Sequence, residues 1–188
     1  MRIVFMGPPG AGKGTQAAVI AQQLGIPHIS TGDIFRANVS ALTELGIAAK
    51  RYMDAGEYVP DTITNDMVRD RLEQDDAQNG FILDGYPRTV DQITELDTML
   101  SVSDDQVEIV IELVADTDAI VQRLAKRALD QGRVDDTEDV IRRRLEVYAE
   151  QTAPLTALYE HRGILKQVDG IGDIAEITNR ILSALAVK

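Results

Sequence analysis

Cysteine is absent from this chain of 188 residues, which excludes a disulfide framework, a thiolate zinc site and a cysteine nucleophile. Tryptophan is absent too, and five tyrosines and three phenylalanines are too few to supply a base-stacking nucleic-acid surface. Positive charge is in deficit: 19 lysines and arginines stand against 31 acidic residues, leaving a net charge of −12. Nucleic-acid affinity needs a spread basic surface, so a general polyanion binder is excluded. No apolar run is long enough to span a membrane, and no basic and then apolar leader follows Met1. A cytoplasmic protein with no membrane partner is expected.

The cations that are present are uneven in kind. Arginine accounts for 14 of the 19, and its planar fork suits bidentate phosphate recognition. An acidic protein that binds phosphate has to gather its positive charge into one cleft. The length fits a single domain with room for small inserted subdomains, and no internal repeat or long linker occurs.

Along the chain, short apolar runs alternate with helical periodicity. Arg2–Gly7 reads as a buried strand meeting a loop, and Lys13–Leu24 as a helix stopped by Gly25 and Pro27. A strand at His28–Ser30 precedes helical stretches from Asp33 to about Ala55 and from Asp61 to about Asp75. Phe81–Asp84 is a strand followed by helix Thr89–Leu100, and Val107–Leu113 is the longest strand, followed by helix Asp116–Arg127. The polar segment Ala128–Asp136 leads to helix Thr137–Tyr148, which bends or restarts near Pro154. Ile164–Val168 and helix Ile174–Leu185 complete the alternation. The pattern predicts an α/β fold, a parallel sheet covered on both faces. Residues 33–75, several helices without a strand, and residues 128–136, too polar for a core, fit that alternation poorly and read as movable insertions.

The sharpest motif is Gly7-Pro-Pro-Gly-Ala-Gly-Lys-Gly-Thr15, a G-x-x-x-x-G-K phosphate loop in the strand–loop–helix context it requires. Backbone N–H groups can wrap a phosphate only where side chains do not obstruct, hence Gly7, Gly10, Gly12 and Gly14, with Ala11 between them. The helix start adds orphan donors, and Lys13 is expected to be solvated until it reaches the β- and γ-phosphates. Gly14 stands where many nucleoside triphosphatases place the Mg²⁺-binding Ser or Thr, and Thr15 comes one residue later. Asp84, at the carboxyl end of an apolar strand, is placed beside the loop and suited to orient Mg²⁺ or its waters.

With these residues in place the sequence resembles the adenylate kinases of the nucleoside monophosphate kinase group, in their short-lid form. The matching segments are GPPGAGKGT (7–15), STGDIFR (30–36), LDGYPRTVDQ (83–92), GRVDD (132–136), IRRRLEVY (141–148) and APL (153–155). The resemblance implies a doubly wound five-stranded parallel sheet with a P-loop, an AMP-binding helical insertion at 30–59 and a short lid at 126–136 on a core of 1–29, 60–125 and 137–188. It implies ATP, AMP and ADP as ligands, Mg²⁺ carried with ATP, and a monomer as the default. Carried over by position, Gly10, Ala11, Gly12, Lys13, Gly14 and Thr15 hold the ATP phosphates. Arg123 packs on the ATP adenine, whose edge meets backbone near Gly172. Thr31 and Arg36 contact AMP, Glu57, Tyr58 and Val59 line its ribose, and Gly85, Tyr86, Pro87 and Arg88 hold it from the other side. Gln92 reads the adenine edge. Arg127, Arg133 and Arg144 gather around the transferring phosphates with Lys13 and Arg88. Related uridylate and cytidylate kinases carry alanine and asparagine where this chain has Thr31 and Gln92, so both residues favour AMP.

Helical phasing bears on the arginines without the family. Ile141, Leu145 and Tyr148 form one stripe; Arg144 lies beside it, Arg142 further round, and Arg143 nearly opposite. Arg127 borders the stripe of Ile120, Val121 and Leu124, and Lys126 points away. Arg144 and Arg127 are thus expected to reach inward, with Arg142, Arg143 and Lys126 on a solvated face. Asp136 or Thr137 is expected to cap the helix that follows. His28 reads as a satisfied core or edge residue and His161 as surface. A GTPase switch would need an [N/T]-K-x-D guanine-reading segment, and none occurs.

Overall fold

Four of the five residues of Arg2–Met6 are buried, and they alternate between two cores. Ile3 and Phe5 join one apolar cluster with Ala17, Ile20, Ile177 and Ile181, while Val4 and Met6 join another with Phe35, Leu83, Tyr86 and Tyr159. A strand with both faces covered belongs in the middle of a layered fold. The structure, a computed structural model, describes residues 1–131 and 137–186, with backbone alone over 125–131.

Strand β1 (Arg2–Met6) leads into helix α1 (Lys13–Leu24), and β2 (His28–Ser30) into α2 (Thr31–Ser40), α3 (Glu44–Ala55) and α4 (Asp61–Leu72). After β3 (Phe81–Asp84) come α5 (Val90–Ser101), β4 (Ile109–Val114) and α6 (Thr117–Gln131). Helix α7 (Glu138–Val147) runs through a π turn at Tyr148–Thr152 into α8 (Leu155–His161), followed by β5 (Leu165–Asp169) and α9 (Ile174–Ala186). The sheet has the order β2-β3-β1-β4-β5, and every pairing is parallel. From β1 the chain runs to the far edge at β2, returns beside β1 as β3 and then crosses to β4 and β5 on the other side. The crevice at the carboxyl ends of β1 and β3 is thus the topological switch point where such sheets bind ligands.

Local chemistry sets the element ends. Ser30, Thr43, Thr89 and Thr137 each accept a backbone N–H three residues on, capping α2, α3, α5 and α7. Thr137 thus fills the role expected of Asp136 or Thr137; Asp136 lies outside the described residues.

Several boundaries differ from the periodicity. The stretch expected to be helical from Asp33 to Ala55 breaks after Ser40, because Leu42 turns to φ 53° and Thr43 restarts the helix as its cap. Helix α6 continues to Gln131, four residues into the segment expected to be irregular. Ala128, Leu129, Asp130 and Gln131 are all compatible with a helix, and the first breaker is Gly132. The strand expected from Val107 begins at Ile109.

Helices α2 and α3 touch backbone to backbone at Gly46. A Cβ there would stand 2.1 Å from the Asn38 carbonyl oxygen and 2.6 Å from the Val39 nitrogen, so no rotamer relieves it. Gly46→Ala is expected to push the two helices apart, costing about 2 kcal/mol and lowering the melting temperature by roughly 4–8 °C. Calorimetry of the two proteins checks this; an unchanged midpoint would show that the crossing can widen freely.

Candidate active site

The turn after β1 is shaped by positions that only glycine can fill. Gly7 has φ 135°, and a Cβ on it would sit 2.5 Å from the Leu113 carbonyl oxygen of β4. The loop therefore lies close over the sheet and delivers its backbone to the start of α1. Lys13 is the first residue of that helix. Its ammonium donates to the carbonyls of Gly7 at 2.7 Å and Pro8 at 3.0 Å. That corrects the expectation of a solvated ammonium: the lysine folds back over its own loop.

Asp84 ends β3 beside this loop and is nearly buried. A Cβ on Gly14 would come within 3.3 Å of its Oδ2, so the helix start and the carboxylate are direct neighbours. His28 Nε2 faces the same oxygen at 3.5 Å. Burial opposes ionisation of Asp84 more than any single favourable influence promotes it. Together, however, His28 and the charges of Lys13 and Arg88 outweigh that penalty, and the carboxyl titrates below the usual range.

On the other side of Asp84 the chain turns at Gly85, with φ 82°. A Cβ here would meet Thr31 Oγ1 at 2.7 Å and Arg88 Nη2 at 2.8 Å, so glycine lets those two side chains converge. The Thr31 hydroxyl donates to the Gly85 carbonyl at 3.0 Å. Arg88 is held on several sides: its Nε donates to the Gly85 carbonyl at 2.7 Å, and its guanidinium lies 4.9 Å over the Tyr58 ring. Thr152 Oγ1 donates to the Arg88 carbonyl at 2.9 Å, so the hydroxyl pair Tyr58–Thr152, 2.6 Å apart, must run with tyrosine as donor. Gln92 is 2% exposed, and both ends of its amide are engaged, by the Arg88 N–H and by Asp61.

Arg123 ties the third side. Its terminal nitrogens donate to the carbonyls of Ala11 at 3.2 Å and Gly170 at 2.7 Å, joining α6, the glycine loop and the turn after β5. Gly172 lies on that same turn. Arg144 reaches across from α7 towards the Met53 carbonyl at the end of α3.

Most of these groups surround one cavity of about 750 Å³ at the carboxyl ends of the strands. It brings together the loop from Gly10 to Thr15, Thr31, Arg36, Glu57, Tyr58, Val59, Asp84, Gly85, Pro87, Arg88, Gln92, Arg123, Arg144 and Gly172. Arg36 sits at its rim, paired with Asp33. Tyr86 does not join them. Its ring is fully buried in the core, its hydroxyl donates to Asn65 Oδ1 at 2.9 Å, and burial pushes its pKa up. The side chain of Arg127 and all of Arg133 lie outside the described residues. Among the described residues, no group of three or more His, Asp or Glu could hold a metal by itself, and no helix is long and apolar enough to cross a membrane.

Two features escaped the sequence reading. Arg143 is on the solvated side of α7, and from there its Nε donates to Glu57 at 2.7 Å, linking α7 to the segment after α3. The side chain stays more than a third exposed, as its phase implies; what the phase of one helix cannot show is an ion pair to a segment distant in sequence. Gln16 is buried in α1, donating to the Ile174 carbonyl and accepting from Thr178, and so docks α9 beside the cavity. A polar residue between the apolar positions of α1 was the only signal.

Comparison with known sequences gives a consistent result. A family model described as adenylate kinase matches residues 5–164. The chain is 59% identical to the adenylate kinase of Kocuria rhizophila over 184 residues, 98% of each protein. It is 59% identical to that of a Nocardioides species over 187 residues, 100% of this chain and 98% of the relative. With that of Thermobifida fusca it shares 56% over 185 residues, 98% of each.

Proposed function

The chain belongs to the adenylate kinase family, and from that premise we propose that it carries the γ-phosphoryl group of ATP reversibly to AMP, giving two ADP. The observation that supports this most is the shared cavity lined by Asp84 and by two cations that both act on it, Lys13 on the glycine loop and Arg88 after β3. A donor nucleotide with its phosphates on the loop would end where an acceptor phosphate held by Arg88 begins.

Phosphoryl transfer asks little covalent chemistry of the protein and much positioning and charge neutralisation. The glycine loop and the start of α1 present N–H donors to the ATP phosphates, and Lys13 exchanges its two carbonyl partners for phosphate oxygens. Arg123, anchored on two carbonyls, presents a flat face for the ATP base. Arg36 and Arg88 grip the AMP phosphate, while Thr31 and Gln92 meet its base. Arg144, with Arg127 and Arg133, neutralises charge between the two. The acceptor phosphate is already a nucleophile, so no general base is assigned. Asp84, buried and held in its ionised form, is the residue that would hold a magnesium ion brought with the nucleotide, directly or through water. Magnesium would supply charge neutralisation on the β- and γ-oxygens.

Residues 30–59 and 126–136 are proposed as the AMP-binding insertion and the lid. Water is a competing acceptor, so a site of this chemistry gains from closing before it reacts; lid closure in adenylate kinase is a known example of such gating.

The reading is tested with a panel of acceptors under ATP and Mg²⁺. AMP is expected to be preferred over UMP, CMP and dGMP by at least about 100-fold in kcat/KM, because a site built to hydrogen-bond one base rejects those that leave its polar groups unpaired. Equal use of UMP would assign the protein to another branch of the same chemistry.

A further inference from the structure

We propose that Asp61 is a positioning residue: by fixing the orientation of the Gln92 amide it decides which purine edge the acceptor pocket takes. The inference rests on the reading of Gln92 as the residue that meets the acceptor base.

A glutamine amide has nearly the same shape either way round, and its neighbours decide which end is nitrogen. Here both neighbours demand the same answer. The Arg88 backbone N–H, which can only donate, lies 2.7 Å from Oε1. The Asp61 carboxylate, which can only accept, lies 2.6 Å from Nε2. Asp61 is itself held, because its second oxygen accepts the Thr89 hydroxyl at 2.7 Å. That hydroxyl in turn accepts the Gln92 backbone N–H at 3.2 Å. The result is a closed ring of hydrogen bonds joining the first residue of α4 to the first turn of α5, around a side chain that lines the cavity.

Once this ring is made, Gln92 has one N–H and one oxygen lone pair left. Adenine offers a matching edge, an amino donor beside the N1 acceptor. Hypoxanthine offers the inverse, an oxo acceptor beside an N1–H donor, on a purine of the same outline. An amide free to turn over would serve either base, whereas a locked amide serves only one. Asp61 thus selects an amino-purine acceptor without touching it.

Asp61→Asn tests this because it keeps the size of the group and replaces an obligate acceptor with an amide that can present either end. The AMP to IMP ratio of kcat/KM is expected to fall about tenfold or more, the worth of one hydrogen bond to a charged group. The change should come mainly from a higher KM for AMP, with KM for ATP within about twofold of the parent. Because both acceptors are assayed on one preparation, the ratio does not depend on how much protein is folded. Gln92→Ala is run in parallel and is expected to collapse the same ratio. A ratio within twofold of the parent in Asp61→Asn, with collapse in Gln92→Ala, overturns the role of Asp61 alone. An unchanged ratio in Gln92→Ala removes the reading of Gln92 and this inference with it.

Discussion

Lys13→Ala is expected to lower turnover by about 10³-fold while leaving the fold in place. Removing one preorganised donor from a charge-stabilising site costs about 10²–10³-fold, and an ammonium facing transferred phosphate oxygens should sit at the upper end. The structural cost is expected to be small. The ammonium is seated on the Gly7 and Pro8 carbonyls, beside the cavity that Gly7 and Lys13 themselves line, so water can take its place there. The glycine loop keeps its shape through Gly7, clamped over Leu113 in β4, and α1 is held by Ala17 and Ile20 in the core. Thermal melts within a few degrees of each other, together with steady-state rates, decide the matter. Near-normal turnover would remove Lys13 from the transfer step.

Arg88→Ala is expected to cost about 10²–10³-fold in kcat/KM for AMP, with KM for ATP little changed, because Arg88 belongs to the acceptor side. Arg88→Lys should recover little of this. The Nε contact to the Gly85 carbonyl and the packing over Tyr58 use the planar fork, and lysine offers a point charge on a flexible stem. The backbone of Arg88 is also fixed at both ends, its N–H by Gln92 and its carbonyl by Thr152. The guanidinium is therefore preorganised, and the loss should fall on chemistry as well as on binding. Recovery of more than about a third of parental kcat/KM by Arg88→Lys would show that only charge matters there.

The parts of the fold that were legible were those whose signals are local. The run Phe81–Asp84 is apolar and bounded by Gly80 and Gly85, and it forms the expected strand with its carboxylate at the cleft. Thr89 precedes a periodic run and caps it. What stayed hidden depends on contacts distant in sequence. Leu42 adopts a positive φ that a leucine disfavours, so the break between α2 and α3 has only Thr43 to announce it. Arg143 is exposed as its phase implies, but the phase of α7 carries no sign of its partner Glu57, 86 residues away. Tyr86 is a converse case. The segment it belongs to resembles a nucleotide-binding motif, but its ring faces the core and only its flanking residues face the cavity. The engagement of Gln92 by Asp61 spans 31 residues and two helix starts, and no spacing in the sequence hints at it.

The central proposal, direct transfer between two bound nucleotides, is tested most directly by following the γ-phosphoryl group itself. ATP labelled only in that group is mixed with AMP, Mg²⁺ and the protein, and the phosphorus species are resolved early in the reaction. The expected result is two ADP for each ATP consumed, with the label in the β-phosphate of the ADP made from AMP and none as inorganic phosphate. Label released as inorganic phosphate, or ATP consumption that does not depend on AMP, would contradict it.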